Sequence, residues 1–214
     1  MKHSEVKFYP PSEEKINIIS HALGLLFSLV GFVLLMVKAV QQGTWIHFLA
    51  YGLYSISMMV LFTASTIYHR AIVDQVRSRL RVFDHAAIYV LIAGTYTPFM
   101  LLVMPGTLGY SILAAAWGMA VLGIVLKLFF TGRFSLISTS LYLFMGWAIV
   151  FAIKPLAAQL SADGLFWLVA GGVAYTIGAI LYAIKQIPFN HAIFHVFVLI
   201  GAFSHFLAIY FHSI

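Results

Sequence analysis

The sequence predicts an all-α integral membrane protein: a bundle of seven transmembrane helices, N-terminus cytoplasmic and C-terminus outside. Three observations carry this. Of 214 residues, 63% are hydrophobic and only 8% charged, with a mean hydropathy of +1.01. No water-soluble domain of this size has an interior large enough to hide so much apolar surface. The apolar residues fall into seven runs of about 20, the length a helix needs to cross a hydrocarbon core of roughly 30 Å. Lysine and arginine, finally, divide unevenly between the two sets of connections.

In chain order, residues 1–15 form a short polar segment, expected to be cytoplasmic, that carries Glu13 and Glu14. Residues 16–214 read as a single seven-helix transmembrane domain. Its runs lie at 16–40, 45–68, 83–103, 108–130, 134–153, 165–184 and 189–211. The separators are turn-like or charged: Gln41-Gln42-Gly43, a basic stretch over 70–81, Pro105-Gly106, Thr131-Gly132-Arg133, Asp163-Gly164 and Gln186-Ile187-Pro188. With the N-terminus inside, the cytoplasmic segments hold Lys2, Lys7, Lys15, Arg70, Arg77, Arg79, Arg81, Lys127, Arg133 and Lys185. The other side holds Lys38 and Lys154 alone, a strong positive-inside bias. A bacterial plasma (inner) membrane is the expected location. The first run is long enough to span and follows residues of mixed charge, so no cleavable signal peptide is expected.

The net charge of +6 reflects topology and contact with anionic lipid rather than nucleic acid. Membrane lipids are the expected partners. The chain has no cysteine, which excludes disulfides and thiolate metal sites.

Polar residues are costly inside a membrane, so those present are informative. His191 and His195, in Asn190-His191-Ala192-Ile193-Phe194-His195, are four residues apart. On a helix that spacing stacks both imidazoles on one face, where they can share a metal ion. Pro188 suits a helix start. His69 ends the second run, and Asp84 and His85 are expected to open the third. Alternation of the helices places all of these at one membrane face, with Asn17 and His21 in the same leaflet and Ser65 one turn before His69. His47 and His205 fall in the opposite half; His205 reads as a packed or second polar contact. A buried layer of histidine, serine and aspartate thus assembles from distant parts of the chain.

That layer fits zinc. His69, His191 and His195 would leave a tetrahedral ion one position for water, as in catalytic sites, and such water ionises near neutral pH. Between the paired histidines there is no glutamate, so the base must come from another helix, and Asp84 is the candidate. Ser65 can hydrogen-bond a substrate carbonyl or its oxyanion. A substrate entering from lipid would be a lipid amide or ester. Plainer readings exist for each residue. The histidines can be an interhelical hydrogen-bonded pair, Asp84 a helix cap or partner of Arg81, and Ser65 a donor to the Leu61 carbonyl of its own helix. Asn17 and His21 would brace the site, and His85 would point away from Asp84.

Taken together, Glu13-Glu14 with Asn17 and His21, Ser65-xxx-His69, Phe83-Asp84-His85, Ala93 to Pro98 and Asn190-His191-xxx-His195 resemble the bacterial hemolysin III family. That family is related to the progestin and adipoQ receptors and, more distantly, to alkaline ceramidases. The resemblance implies seven helices and a zinc ion held at positions matching His69, His191 and His195. It also implies that Asp84 holds the zinc-bound water, with Ser65 beside it. Neither hormone recognition nor the calcium site of the ceramidases is expected here. Three function classes follow: a zinc-dependent hydrolase of a ceramide-like lipid amide, a receptor or regulator with structural zinc, and a cytolytic pore protein.

Overall fold

A computed structural model describes residues 6–130 and 135–213. All regular structure among them is helical. The helices are α1 (Pro11–Gln42), α2 (Trp45–Arg70), α3 (Asp74–Pro98), α4 (Thr107–Phe130), α5 (Ser135–Trp147), the short α6 (Ile153–Ala157), α7 (Ala162–Ala183) and α8 (Asn190–His212). A π-helical turn, Phe99–Val103, extends α3, and a 3₁₀ segment, Ala148–Ala152, joins α5 to α6. Seven spans result, each long and apolar enough to cross a membrane.

The chain is therefore a multi-pass membrane protein, and its surface is built accordingly. Leu23, Leu26, Val33, Leu122, Phe129 and Phe166 stand exposed on the outer helix faces, where lipid rather than water is the natural solvent. What turns inward is small or polar. On α1 the buried stripe is Glu13, Asn17, His21, Gly24, Ser28 and Gly31, one residue per turn. Small residues let membrane helices approach closely, and polar ones find partners only inside the bundle. A Cβ on Gly24 would stand 2.6 Å from the Phe62 ring, which shows how near α1 and α2 lie.

α1 packs against α2 and α8, α2 against α3, α3 against α4 and α5, and α7 against α5 and α8. α3 is the most enclosed span, 72% of its apolar window being buried. Pro98 cannot donate a backbone hydrogen bond. A π turn follows it directly, closed by the Met104 N–H on the Phe99 carbonyl (2.8 Å).

Several sequence expectations need correction at element ends. α1 starts at Pro11 rather than residue 16, because proline suits a first helical position and Glu13 and Glu14 suit a first turn. α3 starts at Asp74, so most of the basic stretch over 70–81 is helix rather than loop. Asp84 and His85 thus lie almost three turns inside α3 instead of opening it. Pro188 precedes α8, which begins at Asn190 after Phe189 in a left-handed conformation (φ 56°). The expected separator Thr131-Gly132-Arg133 and the start of the fifth run lie outside the described residues.

Candidate metal centre

α2 ends and α8 begins at the same end of the bundle, and this brings His69, His191 and His195 together. The Nε2 atom of His191 is 3.1 Å from that of His69 and 3.1 Å from that of His195. All three rings are buried, between 2% and 6% exposed. One potential ligand atom from each lies within 4.8 Å of the others, so the group could hold a metal ion.

Hydrogen bonds on the far side of two rings fix which nitrogens face inward. His69 Nδ1–H donates to Glu14 Oε2 at 2.7 Å, since a carboxylate only accepts. His195 Nδ1 lies 3.3 Å from the Asn17 carbonyl and 3.4 Å from Ser20 Oγ, again with the proton on Nδ1. Both Nε2 atoms therefore present lone pairs toward His191. Its single Nε2 can satisfy one of them by donating a proton, never both. One cation satisfies all three. Nitrogens bound to a tetrahedral ion at about 2.0–2.1 Å would stand roughly 3.3–3.4 Å apart, close to the spacing found.

Residues of α1 and α3 support the ligands. Glu13 Oε1 accepts from the backbone N–H groups of His191 (3.1 Å) and Ala192 (3.4 Å), capping α8 from another helix. Asn190 Nδ2 donates to the Tyr182 carbonyl (2.9 Å), tying the start of α8 to the end of α7. Arg77, 1% exposed, reaches the carbonyls of Tyr68 (3.2 Å), His69 (3.3 Å) and Ala71 (3.1 Å) at the open end of α2. The same guanidinium pairs with Glu14 and holds the Lys7 carbonyl at 2.9 Å. Glu14 is thereby fixed from both sides. The segment before α1 crosses the site, and the Tyr9 ring stacks on His191 (4.5 Å, 10° between planes). Burial, with Tyr182 nearby, pushes the Tyr9 phenol above its ordinary range. Burial and neighbouring Arg81 lower the Lys7 ammonium, and burial and Lys7 lower that of Lys185.

The remaining sequence candidates are placed unevenly. Asp84 lines a cavity of about 210 Å³ together with His191 and His195. It does not cap α3, and the only ion-pair contact found for it among the described residues is His85 Nδ1 at 3.4 Å. His85 therefore does not point away from Asp84, because its Nδ1–H, held at 2.8 Å from the Arg81 carbonyl, swings back along the helix. Ser65 is fully buried and its hydroxyl has no protein partner among the described residues, so the bond to Leu61 is not formed. His21 stacks on His195 (3.6 Å, 9°). Glu13, Glu14 and Arg77 are the residues sequence reasoning left without a role. A signal existed in the helical spacing of Glu13, Asn17 and His21, which is that of a buried polar face.

Residues 9–206 match the family model described as Haemolysin-III related. The chain is 43% identical over 202 residues to the Hemolysin-3 homolog of Bacillus subtilis (strain 168), covering 94% of this chain and 95% of that protein. It is 42% identical over 200 residues to Hemolysin-3 of Bacillus cereus, covering 94% and 91%. At 29% identity over 212 residues it also resembles the Monocyte to macrophage differentiation factor of Homo sapiens, covering 94% and 86%.

Proposed function

This chain belongs to the Haemolysin-III related family, and from that premise we propose that it is a zinc-dependent membrane hydrolase of a lipid amide. The observation that carries the reading is the convergence of three Nε2 atoms, with the tautomers of His69 and His195 set by Glu14 and Asn17. Zinc suits three imidazoles, and when bound it would acidify a water molecule and polarise a carbonyl. His69, His191 and His195 would hold it. Asp84, in the wall of the same cavity, accepts the proton of the attacking water at its carboxylate and returns it to the leaving nitrogen. Ser65, one turn from His69, carries a buried hydroxyl with no partner among the described residues, which in this reading turns to the substrate carbonyl. The cavity wall beyond Asp84 is mostly apolar, including Ile88, Leu91, Met100 and Val198, which suits an acyl chain. The lysine and arginine distribution supports a site on the cytoplasmic side, which in this reading is that of a bacterial inner membrane.

The test is hydrolysis of ceramide and N-acyl analogues by the full chain in lipid nanodiscs. Asp84→Asn is expected to lower turnover by about 10²–10⁴-fold while retaining the metal. Unchanged turnover after chelation would exclude the reading. A second reading, a regulator with structural zinc, draws on the Tyr9 ring lying flat over His191. It predicts that chelation lowers the melting temperature of a protein that hydrolyses no lipid.

A further inference from the structure

The same cavity reaches a second pair of polar rings farther along the bundle. Tyr175 of α7 and His205 of α8 both line it, with ring centroids 5.5 Å apart. Each ring is seated on a glycine of the other helix. A Cβ on Gly201 would stand 2.7 Å from the Tyr175 ring, and one on Gly171 would stand 2.2 Å from the His205 ring. Gly171 and Tyr175 are four residues apart, as are Gly201 and His205, so each helix presents one seat and one ring on a single face. The arrangement is reciprocal and leaves little freedom to either ring.

His205 Nε2 is 3.1 Å from the Leu168 carbonyl. A carbonyl only accepts, so Nε2 carries the proton and Nδ1 offers a lone pair. Neither this Nδ1 nor the Tyr175 hydroxyl has a hydrogen-bond partner among the described residues, although both atoms are buried. Polar atoms buried without partners are unfavourable, and more so within a membrane. One unmet acceptor and one hydroxyl that can donate thus belong to two residues that line the same cavity, each atom covered in the structure and reached by a small turn of its ring.

We propose that Tyr175 and His205 form a hydroxyl-binding subsite, so that the cavity selects a lipid whose acyl chain is hydroxylated deep in the bundle. The ligand's O–H would donate to His205 Nδ1 while its oxygen accepts from Tyr175 Oη. A ketone could use only the tyrosine, and an unsubstituted chain neither. Ten residues of α8 separate His195 from His205, a rise of roughly 15 Å. An extended chain advances about 3.6 Å per three bonds, so the hydroxyl falls about a dozen carbons from the group at the histidines. The inference rests on the reading that the cavity takes a lipid, but not on that lipid being hydrolysed.

The test is displacement of a fluorescent fatty acid from the full chain in phosphatidylcholine nanodiscs. The competitors are stearic acid, stearic acid hydroxylated at about carbon 12, and an isomer hydroxylated midway to that position. The first hydroxylated acid is expected to bind about tenfold more tightly than stearic acid, and the isomer no more tightly. Y175F keeps the ring on Gly201 and removes only the hydroxyl. It is expected to abolish the preference with melting temperature and metal content unchanged, and H205F to weaken it. Equal binding of the two acids in the wild type, or a preference that survives in Y175F, overturns the subsite while leaving a lipid cavity intact. Failure of every acid to displace the probe overturns both the subsite and the lipid reading.

Discussion

Glu14 touches no ligand nitrogen that faces the centre, yet it decides how His69 presents itself. By accepting the Nδ1 proton it leaves Nε2 as a lone pair, the arrangement by which carboxylates orient metal-binding imidazoles. Glu14→Gln is expected to weaken metal affinity by about 10–100-fold, read by competition with a chelator, with the fold retained. The three histidines were legible in the sequence because two share a helical spacing and the third lies at a run end on the same face. Glu14 was not legible as a support because it stands 55 residues from His69 in a segment that reads as a polar tail. Arg77 was hidden for a similar reason. An arginine beside a turn is ordinarily solvated, and only the fold shows it closing the carbonyls of α2 over Glu14.

At the scale of the helix, close approach is set by small residues, and α1 against α2 shows it most sharply. Gly24→Ala gains at most about 1 kcal/mol of helix propensity. Against that, the new Cβ would meet Phe62 at 2.6 Å and Leu199 at 2.8 Å, and Phe62 is fully buried with nowhere to turn. Overpacking of this kind costs about 1–3 kcal/mol, so the variant is expected to melt at lower temperature in detergent. Unchanged or raised stability would show that the two helices can move apart. The seven runs were legible because hydrophobic length is a strong signal. Helix ends were not, because α1 and α3 continue beyond the apolar run into charged residues that hydropathy assigns to loops. Glu13, Arg77 and Asp84 all lie in those stretches or at their edges, so the boundary errors and the unassigned supporting residues share one cause.

For the whole molecule, the buried ionisable residues Glu13, His21, His69, Arg77, Asp84, His191 and His195 gather at one end of the bundle among the described residues, while single buried hydroxyls such as Ser28, Ser57 and Thr97 are scattered and the outer faces are apolar. A water-filled pore would need a continuous polar stripe. Reconstitution in planar bilayers is accordingly expected to give no conductance above that of the empty membrane. The orientation expected from the charge distribution is simple to measure, because the chain has no cysteine. With positive residues inside, an impermeant thiol reagent added outside whole cells is expected to label Gln42→Cys and spare Gln186→Cys. Both positions are exposed, so the reverse pattern would invert the topology.

The central claim, that three buried histidines hold one metal ion, is tested most directly by elemental analysis of the purified chain. Wild type is compared with His191→Ala/His195→Ala at matched monodispersity. The account predicts about one metal ion per chain in the wild type, zinc foremost, and none in the double variant. No metal in a folded wild type loaded at micromolar zinc, or equal metal in both proteins, would contradict it.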